Sequence, residues 1–194
     1  MDDNAKIKSI LTASADLKTQ LAQDTELIQK INESAAAITH CLENGGKLLL
    51  CGNGGSAADA QHLAAEFSGR FYFDRDPLFA EALHVNTSYL TAVGNDYSYD
   101  EIYARLVKAK GKKGDVLIGI STSGNSGNVV RAMKVAKELE MINIGFTGNG
   151  GGKMKEDCDL LLNIPSNDTP RIQECHITVG HIICELVEEQ IFKK

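Results

Sequence analysis

A histidine and a glutamate one helical turn apart, His62 and Glu66, interrupt an alanine-rich run in "CGNGGSAADAQHLAAEF", residues 51–67. Asp59, His62, Glu66 and Arg70 step by three, four and four, so on a helix they share one face. Ala60, Leu63, Ala64 and Phe67 take another. Histidine and carboxylate at i, i+4 can share one metal ion or divide a proton transfer between them. A Glu66–Arg70 pair on a polar face is also what a solvated surface helix shows.

A second group of reactive types lies in "GISTSGNSGN", residues 119–128. Ser121, Thr122, Ser123 and Ser126 supply four hydroxyls around two glycines, between an apolar run and a helix-like run. A helix cap needs one such hydroxyl. Four hydroxyls beside free helix-start N–H groups suit a phosphate monoester. A third group is on the last helix-like run, where Gln173, His176 and His181 lie off the apolar stripe Ile172, Cys175, Val179, Ile182 and Leu186. Gln173 and His181 fall on roughly one side over two turns. Thr169 can cap this helix, with Pro170 at its first position.

Two familiar nucleotide sites are disfavoured. Gly52, Gly54 and Ala57 satisfy the loose dinucleotide pattern G-x-G-x-x-A, which also needs an acidic residue closing the next strand. The nearest, Asp74, lies in the turn-like "FDRDP". No G-K-[ST] occurs, and "GGGKM" has Met154 where a magnesium-binding hydroxyl would be needed.

The elements that must position these groups alternate along the chain. Strand-like runs at 47–52, 81–86, 115–121, 142–148 and 159–165 are separated by helical runs at 57–68, 99–110 and 128–140. A long helix over about 170–192 closes the chain, and "GGGKMKEDC" reads as a turn and short helix. The strands are almost continuously apolar, which predicts an α/β fold, a three-layer αβα sandwich around a five-stranded parallel sheet. Ligands of such sheets bind beyond the carboxyl ends of the strands, near the switch in strand order. "GNGGS" and "STSGNSGN" both fall there.

Two extra helices precede the sheet. Ile7, Ile10, Leu17 and Leu21 form a stripe interrupted by Ser14, which suits packing on the same domain or against another subunit. The second helix, 27–42, ends in "ENGGK", with glycines suited to a helix C-terminus. No linker or repeat divides the chain, so residues 1–194 read as one domain. Residues 1–44 form helices for packing or oligomerisation, and residues 45–194 form the ligand-binding core.

Bulk properties narrow the class. The 194 residues carry a net charge of −6 with no long basic run, which gives nucleic acid little to bind. The N-terminus lacks the basic start and apolar core of a signal peptide. No apolar stretch approaches a membrane span. Five cysteines without C-x-x-C spacing point to reduced thiols and a cytoplasmic protein.

Taken together, "CGNGGSAADAQHLAAEF", "AVGNDYSYDEIYARLV", "GDVLIGISTSGNSGNVV", "TGNGGGKM" and "DTPRIQECHITVGHIICELVE" resemble the sugar isomerase (SIS) family, and within it the bacterial phosphoheptose isomerases. The motifs run in the family's order and cover most of the chain from about residue 45. The resemblance implies an aldose–ketose isomerase converting sedoheptulose 7-phosphate to D-glycero-D-manno-heptose 7-phosphate through an enediolate. That is the first step of heptose biosynthesis for lipopolysaccharide or capsule. It maps phosphate binding onto Ser121, Thr122, Ser123 and Ser126, and sugar contacts onto Asn53, Gly54, Gly55, Asn95 and Asp96. It maps one zinc ion per subunit onto His62, Glu66, Gln173 and His181, with Glu66 and Gln173 also meeting substrate. Glu66 would move the proton between C1 and C2, and His181 would serve the oxygens or open the ring. Zinc would stabilise the oxyanion, with Glu66 loosening from the metal as substrate binds. The family also implies a homotetramer. Thr169 and Pro170 stand where members of the family differ, so no acidic role carries over there. Non-catalytic relatives, a replication-initiator-associating protein and sugar-phosphate-sensing domains, are the alternative. In the former the position of Glu66 is not acidic.

Overall fold

The structure, a computed structural model, describes residues 2–193. Its helices are α1 (Asp3–Leu21), α2 (Thr25–Glu43), α3 (Gly55–Ser68), α4 (Thr87–Asp96), α5 (Ile102–Lys110), α6 (Gly127–Glu138) and α7 (Thr169–Phe192). Its strands are β1 (Leu48–Gly52), β2 (Ala80–Ala82), β3 (Val116–Ser121), β4 (Ile142–Thr147) and β5 (Leu160–Asn163). They form one parallel sheet in the order β2-β1-β3-β4-β5. The expected five-stranded αβα architecture with extra N-terminal helices is therefore present.

The strands sort their residues by parity, as the pleat requires. Leu48 and Leu50 of β1 join a core shared with α1, α2, α3 and α7. Leu49 and Cys51 turn to the other face and join α4, α5 and α6. Burial on both faces explains why β1 and β3 read as unbroken apolar runs. The order reverses direction between β1 and β3, so the loops after these two strands flank the crevice where such sheets take ligands.

Several boundaries differ from the sequence reading, each for a local reason. The strand expected over 81–86 is only Ala80–Ala82, because Asn86 caps α4 by accepting from the Tyr89 N–H. Helix α4 itself was not anticipated. Its threonines, tyrosine and glycine are weak helix formers, and the cap and packing outweigh them. Asp168, not Thr169, is the N-cap of α7, which places Thr169 and Pro170 in its first turn. Helix α3 ends at Ser68, so Arg70 lies beyond the face it was expected to share.

Helix α1 satisfies half of its expected stripe. Leu17 and Leu21 are buried while Ile7 and Ile10 are exposed. Ser14, the interruption, donates to Glu174 Oε2 of α7 at 2.7 Å and receives a bond from Lys18. The break in the stripe is thus a polar docking point on the chain's own last helix.

Candidate functional site

Helix α3 begins where β1 ends, with Gly54 as its N-cap. Its apolar face, Ala60, Leu63, Ala64 and Phe67, enters the core. The polar face is thereby turned toward α7. The two helices approach closely: a Cβ on Gly180 would stand 2.7 Å from Leu63 side-chain atoms. A Cβ on Gly55 would overlap the Gln173 amide. Glycine at these two positions is what lets α3 and α7 meet.

The result is a junction of residues far apart in sequence. His62 Nε2 lies 2.9 Å from His181 Nε2, across 119 residues of chain. Glu66 Oε1 lies 3.4 Å from the same His62 nitrogen. For two imidazole nitrogens to face at this distance, at least one must be unprotonated. Gln173 donates from Nε2 toward Asp59 Oδ1 at 3.5 Å. The other Asp59 oxygen is buried without a partner. Burial raises the Asp59 pKa above the usual carboxylate value, opposed by the Gln173 bond and by His62 and His181. So Glu66 pairs within α3 with His62, and Asp59, not singled out for a role by the sequence, sits between the α3 and α7 groups.

The donor set suits a transition metal. Two imidazoles and a carboxylate are ligands that zinc accepts, with an open position for a fourth donor or substrate. Among the described residues no three His, Cys, Asp or Glu side chains form a ready cage. His62 instead pairs with His181 and with Glu66, while the Gln173 amide reaches Asp59.

Across the crevice, the loop after β3 gathers its hydroxyls. Ser121 Oγ is 2.9 Å from Ser126 Oγ and 3.4 Å from Ser123 Oγ. Ser126 precedes α6 without capping it by its side chain; the Val129 N–H donates to Asn128 Oδ1, which leaves those of Gly127 and Asn128 to face an anion. Thr122 and Ser123 line a cavity of about 280 Å³ with Asn149, Ser166, Asn167, Thr169 and Ile172. The last five were not named as site residues, because they come from separate loops after β4 and β5 and from the start of α7.

Reciprocal amide bonds lock the two loops together. Asn53 Nδ2 donates to Asn128 Oδ1 at 2.9 Å, and Asn128 Nδ2 donates to Asn53 Oδ1 at 2.8 Å. The Tyr99 hydroxyl also donates to Asn53 Oδ1. Asn53 is therefore occupied with other side chains. Asn95 and Asp96, at the end of α4, bond to each other at 2.9 Å. They stand on a different element from the His62–His181 junction.

A model of the SIS domain family matches residues 12–148. The phosphoheptose isomerase of Aneurinibacillus thermoaerophilus is 52% identical over 98% of this chain and 96% of its own length. That of Burkholderia pseudomallei strain K96243 is 54% identical over 96% of this chain and 94% of its own length. Among solved structures, the phosphoheptose isomerase of Neisseria gonorrhoeae superposes with a TM-score of 0.91 at 43% identity, covering 97% of this chain and all of that one. The one from Francisella tularensis gives 0.93 at 38% identity with the same coverage.

Proposed function

The chain belongs to the SIS domain family and stands among its phosphoheptose isomerases as an aldose–ketose isomerase; we propose that it interconverts sedoheptulose 7-phosphate and D-glycero-D-manno-heptose 7-phosphate through an enediolate. The observation that carries this reading is the meeting of His62 with both His181 and Glu66, in a fold whose neighbouring strand ends in a hydroxyl-rich loop. Isomerisation moves one proton between adjacent carbons and needs a base, a group for the oxygens and an anchor for the phosphate. The first two kinds come from α3 and α7, and the third from the loop after β3, the strand beside β1.

In this reading the α6 N-terminus and Ser121, Thr122, Ser123 and Ser126 hold the phosphate. The glycines of the α3 start let backbone approach the sugar at Gly54 and Gly55. Asn53 contributes through its backbone, its amide being bonded to Asn128 and Tyr99, and Asn95, Asp96 and Gln173 contribute polar side chains. The Glu66 carboxylate takes the proton from C1 and returns it at C2. His181 exchanges protons with the sugar oxygens. His62, Glu66, Gln173 and His181 would hold zinc, which when bound supplies Lewis-acid stabilisation of oxyanion charge.

We place the protein in the cytoplasm, as a homotetramer with no nucleic-acid or membrane partner, feeding heptose to lipopolysaccharide or capsule. Among the described residues no helix is long and apolar enough to cross a membrane. The test is a panel of ketose phosphates assayed for isomerisation, with metal analysis of the purified protein. Turnover of the seven-carbon substrate supports the reading. Binding of the panel without turnover of any member would establish the alternative, a sugar-phosphate-binding protein.

A further inference from the structure

A buried ion pair outside the proposed reacting groups joins the two helices that carry them. Arg75 and Glu188 meet at 2.8 Å with side chains 2% and 1% exposed. The Glu188 carboxylate also accepts from the Phe71 and Tyr72 N–H groups, at 3.0 and 2.8 Å. Arg75 donates to the carbonyls of Glu66 at 2.8 Å, Phe67 at 2.9 Å, Gly69 at 3.2 Å and Asp76 at 3.0 Å.

The pattern has a mechanical reading. The last carbonyls of a helix lack partners within it, and a cation there is favoured by the helix dipole. Arg75 fills that role for α3, and one of its acceptors is the backbone of Glu66. Glu188 lies two turns beyond His181 on α7, a rise of about 10 Å. Between them, the Phe71 ring packs 5.7 Å from the His181 ring, and Glu188 holds the Phe71 backbone. A buried ion pair is poor evidence for stability, since its desolvation offsets its attraction. What this pair does is fix one helix end and one aromatic ring against the two halves of the site.

We propose that Arg75 and Glu188 are positioning residues, which set the Glu66 backbone and, through Phe71, the His181 ring for proton transfer. The proposal rests on the isomerase reading for its kinetic test but also makes a structural claim that stands without it. A misplacement of about 1 Å can cost on the order of 100-fold in rate.

The test compares wild type with Glu188→Gln and Arg75→Lys. The control is Asp115→Asn, which weakens the buried Lys47–Asp115 pair between the residues that precede β1 and β3. In folded protein, kcat falls at least about tenfold with KM within about twofold, because the clamp does not touch the phosphate loop. The control, matched for loss of melting temperature, keeps wild-type kcat. Wild-type kcat in folded Glu188→Gln and Arg75→Lys overturns the proposal, as does an equal loss in the control. If neither clamp variant folds, Phe71→Leu carries the same kinetic test with the pair intact, and wild-type kcat there overturns it. If wild type itself turns over no ketose phosphate, the isomerase reading falls. The clamp is then judged by crystallography: an unchanged His62–His181 separation in the variants overturns it, and a displaced His181 ring supports it.

Discussion

At the scale of single residues, the site is defined by what each group is paired with. Glu66 faces His62 and not Arg70, so under the proposed mechanism its replacement by Gln removes a base rather than a surface salt bridge. Glu66→Gln is expected to lose at least about 100-fold in kcat, read in the ketose phosphate assay, with melting temperature little changed. Near-normal turnover would remove Glu66 as the base. Ser121→Ala, which deletes a hydroxyl touching both Ser123 and Ser126, should act mainly on KM. Inorganic phosphate inhibition, weakened in parallel, is the check. A different histidine contributes to acid stability. Burial holds the His176 pKa down at about 4 from an ordinary 6.5, opposed by its bond to the Thr147 carbonyl. The unfolded chain takes up that proton first. The contribution is therefore full above about pH 6.5, falls as pH drops toward 4 and is gone below it, amounting to about 2–4 kcal/mol. Urea unfolding between pH 7 and 4 measures the slope, and His176→Gln should flatten it.

At the scale of elements, α3 and α7 make the site by approaching one another, and small residues set how closely. Gly180→Ala would press a methyl onto Leu63, costing about 1–3 kcal/mol if the helices resist and moving His181 from His62 if they yield. Thermal melting and kcat together distinguish the two; a variant unchanged in both would show that the contact does not set the spacing. The helical face of His62 and Glu66 was legible in the spacing of residues 59–66, because periodicity is local. Its meeting with His181 was not, since no local rule pairs residues 119 positions apart. Nor did the sequence distinguish Asn53 as a ligand from Asn53 as one half of a loop lock with Asn128. Helix α4 was missed because its residues favour it weakly and its cap is a single asparagine.

At the scale of the whole molecule, the proposed tetramer can be tested at the exposed end of α1. Ile7, Ile10 and Leu11 are solvent-facing in the single chain while Leu17 and Leu21 dock on its core. If the protein is a tetramer, Ile7→Asp with Leu11→Asp should lower its mass by light scattering while leaving the isolated fold's circular dichroism intact. A monomeric wild type at micromolar concentration would argue against the assembly.

By itself the sequence determined the alternation of apolar strands and amphipathic helices, and hence a covered parallel sheet with two polar loops at its carboxyl edge. It also held the motifs that mark the family. These are properties of short windows, where residue type and spacing act through local backbone periodicity. The tertiary structure alone decided which groups touch: His62 with His181, Asn53 with Asn128, and Arg75 with Glu188. Those contacts depend on strand order and on how closely two helices pack, which are settled by burying the core as a whole.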